Sequence, residues 1–348
     1  MRFLNATYGI EVLYGRLNLS SADVEKNNSI NKNVSYVKKI GNRSIVSAQC
    51  QKKAIMNYMQ NIEGMKISSR IKTKSNVLTP ANPATYVNED LFGFTRLENE
   101  KITEDVYENL SNSERIGFKK SSKAKDGSNI YTRNITKKRK ARMLMSPLIK
   151  ITGNLVKEFN TTTTTSESML YQSEAYNGVM VGSCNLDIDN VSKFSISSEV
   201  SEFRDYTPEE INQDDISLDK NERLNRITSC LKGLEHLKIN GNQANYLTDT
   251  SLKFIILGEF SWGNNAFQGV INKDGLDTDA LFETLADNSK FQLSPIWIAV
   301  SDKLKDSKIK DSFLEIKDDI HSKYPINICS SVGNAIDSYI SYLEKTYI

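Results

Sequence analysis

Apolar and polar positions along this chain follow two periods in turn. Gly9-Ile10-Glu11-Val12-Leu13-Tyr14-Gly15-Arg16-Leu17-Asn18-Leu19 is rich in Ile, Val, Tyr and Leu and runs into a polar loop, which predicts a first strand. Val34 to Ile40, closed by Gly41-Asn42, predicts a second short strand. The period then changes. From Ser47, a favourable N-cap, Ile55, Tyr58, Met59 and Ile62 recur at i, i+3, i+4 and i+7, so a helix begins there and packs that face on the core. Gln49, Lys52 and Lys53 fall on its other side, near its N-terminus.

Periodicity weakens from about Gly64 to Arg142, a stretch rich in Lys, Asn, Ser and Thr, which reads as a loop-like insertion with little core of its own. Order returns at Met143-Leu144-Met145-Ser146-Pro147-Leu148-Ile149-Lys150-Ile151. The run Thr161 to Thr165 is β-branched and favours a hairpin or flexible loop over a helix. Val179 to Asp189 alternates, with Met180, Cys184, Leu186 and Ile188 on one side. Leu224, Ile227, Leu231 and Leu234 predict an amphipathic helix. Phe254 to Phe260 is apolar on both faces and reads as a central strand. Ile336, Tyr339, Ile340, Leu343 and Tyr347 share one face of a C-terminal helix. This order predicts an α+β fold with helices on one face of an antiparallel sheet. It divides as 1–63 (first strand and helix), 64–142 (insertion), 143–157 (strand), 158–176 (hairpin) and 177–348 (the remaining strands and C-terminal helices).

The chain has 348 residues, 39% of them apolar, enough for a real core. No stretch approaches a membrane span, and the N-terminus is too short and polar for a signal peptide, so a cytoplasmic protein with no membrane partner is expected. Cys50, Cys184, Cys230 and Cys329 are far apart, and His236 and His321 form no ligand pattern with them, which argues against a disulfide framework or structural zinc. Net charge is +2, but its distribution is uneven. Arg115 to Arg142 holds eleven Lys or Arg and one acid, Asp126, while Glu199 to Glu222 holds nine acids against Arg204 and Lys220. A basic strip suits phosphate, and an acidic strip suits a basic surface on another subunit. Together they predict a repeating head-to-tail contact between copies of the chain.

Motifs for catalysis are nearly absent from the sequence. The sequence contains no Walker A loop, no G-x-G-x-x-G, no G-x-S-x-G and no H-E-x-x-H, and no cofactor is expected. Asp187 and Asp189 could share a metal, but the polar outer face of a strand is the better reading, so no metal site is expected. Asp23, in the loop after the first strand, could be a lone carboxylate for metal-assisted cleavage, but it has no visible partner and reads as an ordinary loop acid. The binding search gives more. Ser47, Gln49, Lys52 and Lys53 gather where a helix offers free N–H groups and partial positive charge, a cradle for phosphate. The basic strip adds Arg139, Lys140 and Arg142.

At these residues the sequence resembles a known family. Ile45-Val46-Ser47-Ala48-Gln49-Cys50-Gln51-Lys52-Lys53-Ala54-Ile55 is similar to the first-helix motif of the CRISPR backbone subunits, the seventh Cas family. Asp90-Leu91-Phe92-Gly93-Phe94 resembles the motif that opens their fingers insertion. Tyr176-Asn177-Gly178-Val179 through Asp189 resembles their strand after the thumb hairpin. Gly241-Asn242-Gln243-Ala244 with Leu247-Thr248-Asp249 resembles the signature of the DevR-type subgroup of type I-B systems. The ordered set spans roughly residues 9 to 268. The resemblance implies an RRM-like antiparallel palm with a fingers insertion and a thumb hairpin. It also implies copies wound along a crRNA in a Cascade complex with other subunits, presenting the guide to target DNA. Guide contacts carry over to Ser47, Gln49, Lys52 and Lys53, and the signature carries over to Asn242 and Gln243. The thumb of this family wedges beside a flipped nucleotide. Met169 is the candidate here, Leu170 the next, and packing of Met169 inside the hairpin is the alternative. Related type III subunits cut RNA with an Asp after the first strand, which leaves a metal-dependent ribonuclease using Asp23 as the second reading. The DevR-type subgroup is expected to be non-enzymatic.

Overall fold

A computed structural model of the chain describes residues 1–19, 34–72, 77–112, 114–163, 168–195, 215–241, 243–319 and 324–347. The first part of the chain forms β1 (Phe3–Gly15), β2 (Val34–Ser35), β3 (Lys39–Ile40), β4 (Arg43–Val46), α1 (Ala48–Asn61), β5 (Ile71–Lys72) and β6 (Val77–Leu78). Then come α2 (Val87–Phe92), β7 (Phe94–Thr103), α3 (Glu104–Asn109), β8 (Lys119–Lys123) and β9 (Asn129–Arg139). The middle holds β10 (Met143–Met145), β11 (Leu148–Lys150), β12 (Leu155–Thr163), β13 (Ser168–Asp187), β14 (Lys193–Ser195) and β15 (Asp215–Ser217). The last part forms α4 (Lys220–Glu235), α5 (Gln243–Tyr246), β16 (Phe254–Phe260), β17 (Ile271–Asn272), β18 (Gly275–Leu276) and α6 (Thr278–Asp287). It ends with β19 (Ile296–Val300), α7 (Ser307–Asp319), β20 (Ile326–Cys329) and α8 (Val332–Thr346).

The chain divides into two compact units. The first comprises Met1–Met65, Met143–Val191 and Lys220–Ile348. Its sheet runs β20-β19-β16-β1-β13-β11-β4-β3, with β2, β10 and β12 also paired to β13. Pairing is antiparallel except for β19 with β20 and β13 with β2. Both neighbours of β1 hold it in register, Ala6 lying between Cys184 and Leu257. Leu4, Ala6, Tyr8 and Ile10 therefore share a face with Ile255 and Leu257, and all are buried. This face receives α1 through the Tyr8 hydroxyl, which donates to Gln51 Oε1 at 2.6 Å, and α8 through the Tyr339 hydroxyl, which donates to Glu259 Oε1 at 2.8 Å.

The expectation of helices on one face does not hold. Phe254, Ile256 and Phe260 point to the opposite face and pack with Leu281 and Leu285 of α6 and Ile309, Phe313 and Ile316 of α7. The reason lies in β16 itself: a strand apolar on both faces needs a cover on each. The architecture is mixed α+β on a mainly antiparallel sheet. The first strand lies earlier than its sequence reading, and residues 34–40 split into β2 and β3. The hairpin β12–β13 is present, with Leu155 opposite Tyr176 and Thr163 opposite Ser168.

The second unit comprises Lys66–Arg142 and Ser192–Asp219. The described residues 192–195 and 215–219, read from sequence as part of 177–348, thus belong with the insertion. The insertion is not loop-like either: β7, β9 and β8 form a three-stranded sheet. Its organising group is polar. Asp90 accepts from Ser192 N at 3.1 Å, from Ser192 Oγ at 2.6 Å and from Arg139 Nη2, with Asp90 and Arg139 side chains fully buried. Arg139 also donates to the Asp90 and Lys193 carbonyls, at 3.0 and 2.9 Å, and stacks over Phe194 at 4.6 Å. Gly93 closes the motif at φ +69, where a Cβ would lie 2.5 Å from the Arg139 carbonyl oxygen. The Asp-Leu-Phe-Gly stretch is thereby explained as a fold element: Asp90 gathers three donors, and Gly93 lets two backbones approach.

Candidate nucleic-acid interface

Three of the sequence motifs converge in the first unit around the end of β1. Ser47 caps α1 from an extended conformation, its Oγ accepting from Cys50 N at 3.4 Å. The Ser47 N–H donates to Asn18 Oδ1 at 2.9 Å, and the Asn18 carbonyl accepts from Lys38 N at 2.8 Å. The cap is thus tied to the segment after β1 and to the strand edge before β3. No acid occupies the first turn of α1, so nothing there opposes an anion at the helix N-terminus.

Gln49 and Lys53 are exposed and one helical turn apart. Lys52 departs from the expected outer side. It is half-buried, and burial pulls its ammonium pKa down despite the Cys230 thiol that favours the charge. The packed stripe is also shifted: Gln51, Ala54, Ile55 and Met59 are buried, Tyr58 stacks on His236 at 5.5 Å, and Ile62 is 67% exposed. Lys38 is exposed and close enough to oppose the burial that raises the Cys50 thiol pKa. No local pattern signals Lys38, because only the pairing of the strand edge brings it beside the helix.

The Gly-Asn-Gln-Ala loop meets the same place. A Cβ on Gly241 would stand 2.0 Å from the Leu17 carbonyl oxygen, so only glycine fits against the chain after β1. Gln243 is committed to the loop, its Nε2 donating to the Ile239 carbonyl at 2.9 Å and its Oε1 accepting from Thr248 N at 2.7 Å. These two bonds give it a part in shaping the loop. Asn242 lies outside the described residues. Beyond the loop, Tyr246 and Tyr14 both donate to Glu158 on β12, Tyr246 at 2.6 Å, and Ser173 Oγ donates to the same carboxylate at 3.2 Å. Burial would raise the Glu158 pKa, but these hydrogen bonds outweigh it and hold it low. The partner Tyr14 is pushed up to about 12, first by that hydrogen bond and then by burial. Glu158 anchors the base of the hairpin to β1 and to the signature loop, a role that no local pattern signals.

The remaining candidates scatter. Arg139 is committed inside the second unit, its buried guanidinium spent on Asp90 and on the Asp90 and Lys193 carbonyls. Lys140 is exposed, and Arg142 is half-buried with its N–H on the Leu91 carbonyl at 2.9 Å. Met169 sits on β13 opposite Thr162, but its side chain lies outside the described residues, as do Asp23 and residues 196–214 of the acidic segment. The basic strip is diluted in space. β9 pairs along β7, and Arg133 Nε donates to Glu100 at 2.5 Å. Asp187 accepts from Asn190, and Asp189 accepts from Arg2 N at 2.9 Å, so both have structural partners.

Neither a family model nor a curated protein matches the sequence. The fold does have a match. It resembles a chain of a "CRISPR RNA-guided surveillance complex, pre-nicking", with a TM-score of 0.52 over 98% of this chain and 99% of that one, at 10% identity. A chain of a second "CRISPR RNA-guided surveillance complex" aligns over the same shares at a TM-score of 0.45 and 10% identity, too loosely superposed to weigh further. The likeness is one of fold. No described helix is long and apolar enough to cross a membrane.

Proposed function

We propose that this chain is a guide-RNA-binding, non-enzymatic backbone subunit of a type I CRISPR interference complex, of the DevR-type I-B kind. Copies of it wind along the crRNA beside other Cascade subunits and present the guide for pairing with target DNA. In this reading the sheet of the first unit is the RRM-like palm, the second unit is the fingers, and β12–β13 is the thumb. The supporting observation is the α1 N-terminus: a capped, acid-free first turn with Gln49 and Lys53 open beside Lys38, in a fold resembling a surveillance-complex chain. A guide has to be held whatever its spacer, so contacts belong on phosphate and ribose, leaving base edges free to pair. Helix N–H groups, an amide and lysines do this.

Gln49→Ala with Lys53→Glu tests the reading. Lys52 is left alone because a carboxylate at its half-buried position would disturb packing against α4. Affinity for single-stranded RNA, measured by filter binding, should drop at least about tenfold, and the parent's affinity should fall steeply with salt at a log–log slope of about −0.7 per phosphate neutralised. Scrambling the RNA sequence should change little. Unchanged affinity in a folded variant, or a strong preference for one sequence at equal salt, would refute it.

A further inference from the structure

Next to the α1 N-terminus, three neighbouring strands bring together groups that the fold leaves short of partners. Lys39 of β3 lies opposite Ser44 of β4. Leu148 lies opposite Val46 and Ile149 opposite Ile45, and that register carries Lys150 of β11 to a position opposite Ser44. Directly paired residues share a face, so Lys39, Ser44 and Lys150 form a row on one side of the sheet. Leu148 belongs to the same side and is the residue a Cβ on Gly182 would touch, together with Tyr8, which bonds to α1.

Ser44 is 1% exposed, and its Oγ has no hydrogen-bond partner. Lys150 is 9% exposed, and its Nζ makes one hydrogen bond, to the Gly153 carbonyl at 3.1 Å. Three ammonium hydrogens need acceptors, and a buried cation needs a counter-charge. Glu174, the acid beside Lys39, is already taken: its Oε1 accepts from Lys39 Nζ at 2.7 Å, and its Oε2 accepts from Val37 N at 3.2 Å. Among the described residues, two lysines and one glutamate leave a surplus positive charge here. Burial and then the Lys39 charge both pull the Lys150 pKa down, as expected of a cation whose partner is missing.

We propose that Lys150 and Ser44 form a phosphodiester-binding subsite that extends the α1 cradle toward the sheet edge. The chemistry selects the ligand. The groups on offer are an ammonium, which repels a metal ion, and a hydroxyl free to donate, and the surplus charge calls for an anion with several acceptor oxygens. Water could meet the hydrogen bonds but could not neutralise the charge. Ser44 lies three residues before the Ser47 cap, so one polyanion can occupy both places. The inference rests on the guide-binding reading and adds to it a binding lysine outside the helix motif.

The test uses the full chain, with Lys150→Met and Ser44→Ala measured by fluorescence anisotropy on an oligouridylate of about 30 nucleotides across a salt series. Lys150→Met should weaken binding about five- to tenfold and lower the magnitude of the salt slope by about 0.7, one phosphate contact. Its thermal midpoint should stay or rise, because a poorly compensated buried charge has been removed. Ser44→Ala should weaken binding about threefold with an unchanged slope, since a hydroxyl carries no charge. Affinity and slope both like the parent's in a folded Lys150→Met would overturn the subsite. Should that variant fail to fold, Ser44→Ala decides alone, as it deletes only an unpaired hydroxyl, and unchanged affinity overturns the proposal. The Gln49→Ala, Lys53→Glu variant run beside them separates the two ideas. If it weakens binding while these do not, only the subsite falls; if all three bind like the parent, the guide-binding reading falls as well.

Discussion

Arg139 separates a reading based on charge from one based on packing, and Arg139→Met puts the difference to measurement. In sequence it is one of eleven basic residues in a strip suited to phosphate; in the fold its guanidinium is fully buried against Asp90. Replacing it removes an ion pair, two bonds to the Asp90 and Lys193 carbonyls, and the stack on Phe194. Breaking a buried pair from one side costs about 3–5 kcal/mol, because a charge is left without its partner. Asp90 keeps two bonds from Ser192, so the loss for Arg139→Met should lie near the lower end, about 3 kcal/mol. Asp90→Ala should cost more, about 5 kcal/mol, since it strands the guanidinium and also both Ser192 donors. The double variant should cost less than the sum, with a coupling of about 2 kcal/mol or more. A chain of two compact units need not unfold in one step, so the assay is hydrogen–deuterium exchange of peptides covering β7 and β9, read as opening free energies. RNA affinity should keep the parent's salt slope in Arg139→Met. A protection loss under about 1 kcal/mol together with a shallower slope would show that Arg139 meets phosphate and that the buried pair is not what holds the insertion.

Two further outcomes follow from the end of β1. Gly241→Ala forces a Cβ to within 2.0 Å of the Leu17 carbonyl oxygen, so the signature loop has to move; limited proteolysis should cut at 241–248 faster than in the parent, and an unchanged rate would mean that the loop is not held by this contact. Glu158→Gln removes the carboxylate that Tyr14, Tyr246 and Ser173 share. The folded pKa of Glu158 is depressed, so its contribution to stability is complete above the unfolded value of about 4.3 and disappears as pH falls through the lower folded value. The variant should therefore lose thermal stability uniformly at pH 6–8 and show a flatter acid limb than the parent below about pH 4.5; equal acid limbs would mean that the carboxylate is not the titrating group.

Local pattern sufficed wherever a residue's role depends on its near neighbours. Ser47 could be read as a cap because capping is decided within one turn, and Phe254 to Phe260 could be read as a central strand because apolar side chains on both faces have nowhere else to go. The cover on its second face was legible too, in Leu281 and Leu285 at i, i+4 and in Ile309, Phe313 and Ile316 at i, i+4, i+7, although the sequence reading passed over both helices. Gly241 and Gly93 were visible as motif letters, but their reasons, the Leu17 carbonyl and the Arg139 backbone, come from distant chain. Charge was the least legible property. A run of lysines and arginines has a sign in sequence, but pairing decides whether a given cation faces solvent, an acid or the interior. Arg139 went inside to meet Asp90, 49 residues earlier, and part of the strip's excess was offset where Arg133 met Glu100. The converse holds at Lys150, one lysine in an apolar strand: only the register of β3, β4 and β11 sets it beside Lys39 and Ser44 with no acid to spare. Electrostatic energy depends on distance through space and on burial, and the sequence encodes both only through the fold.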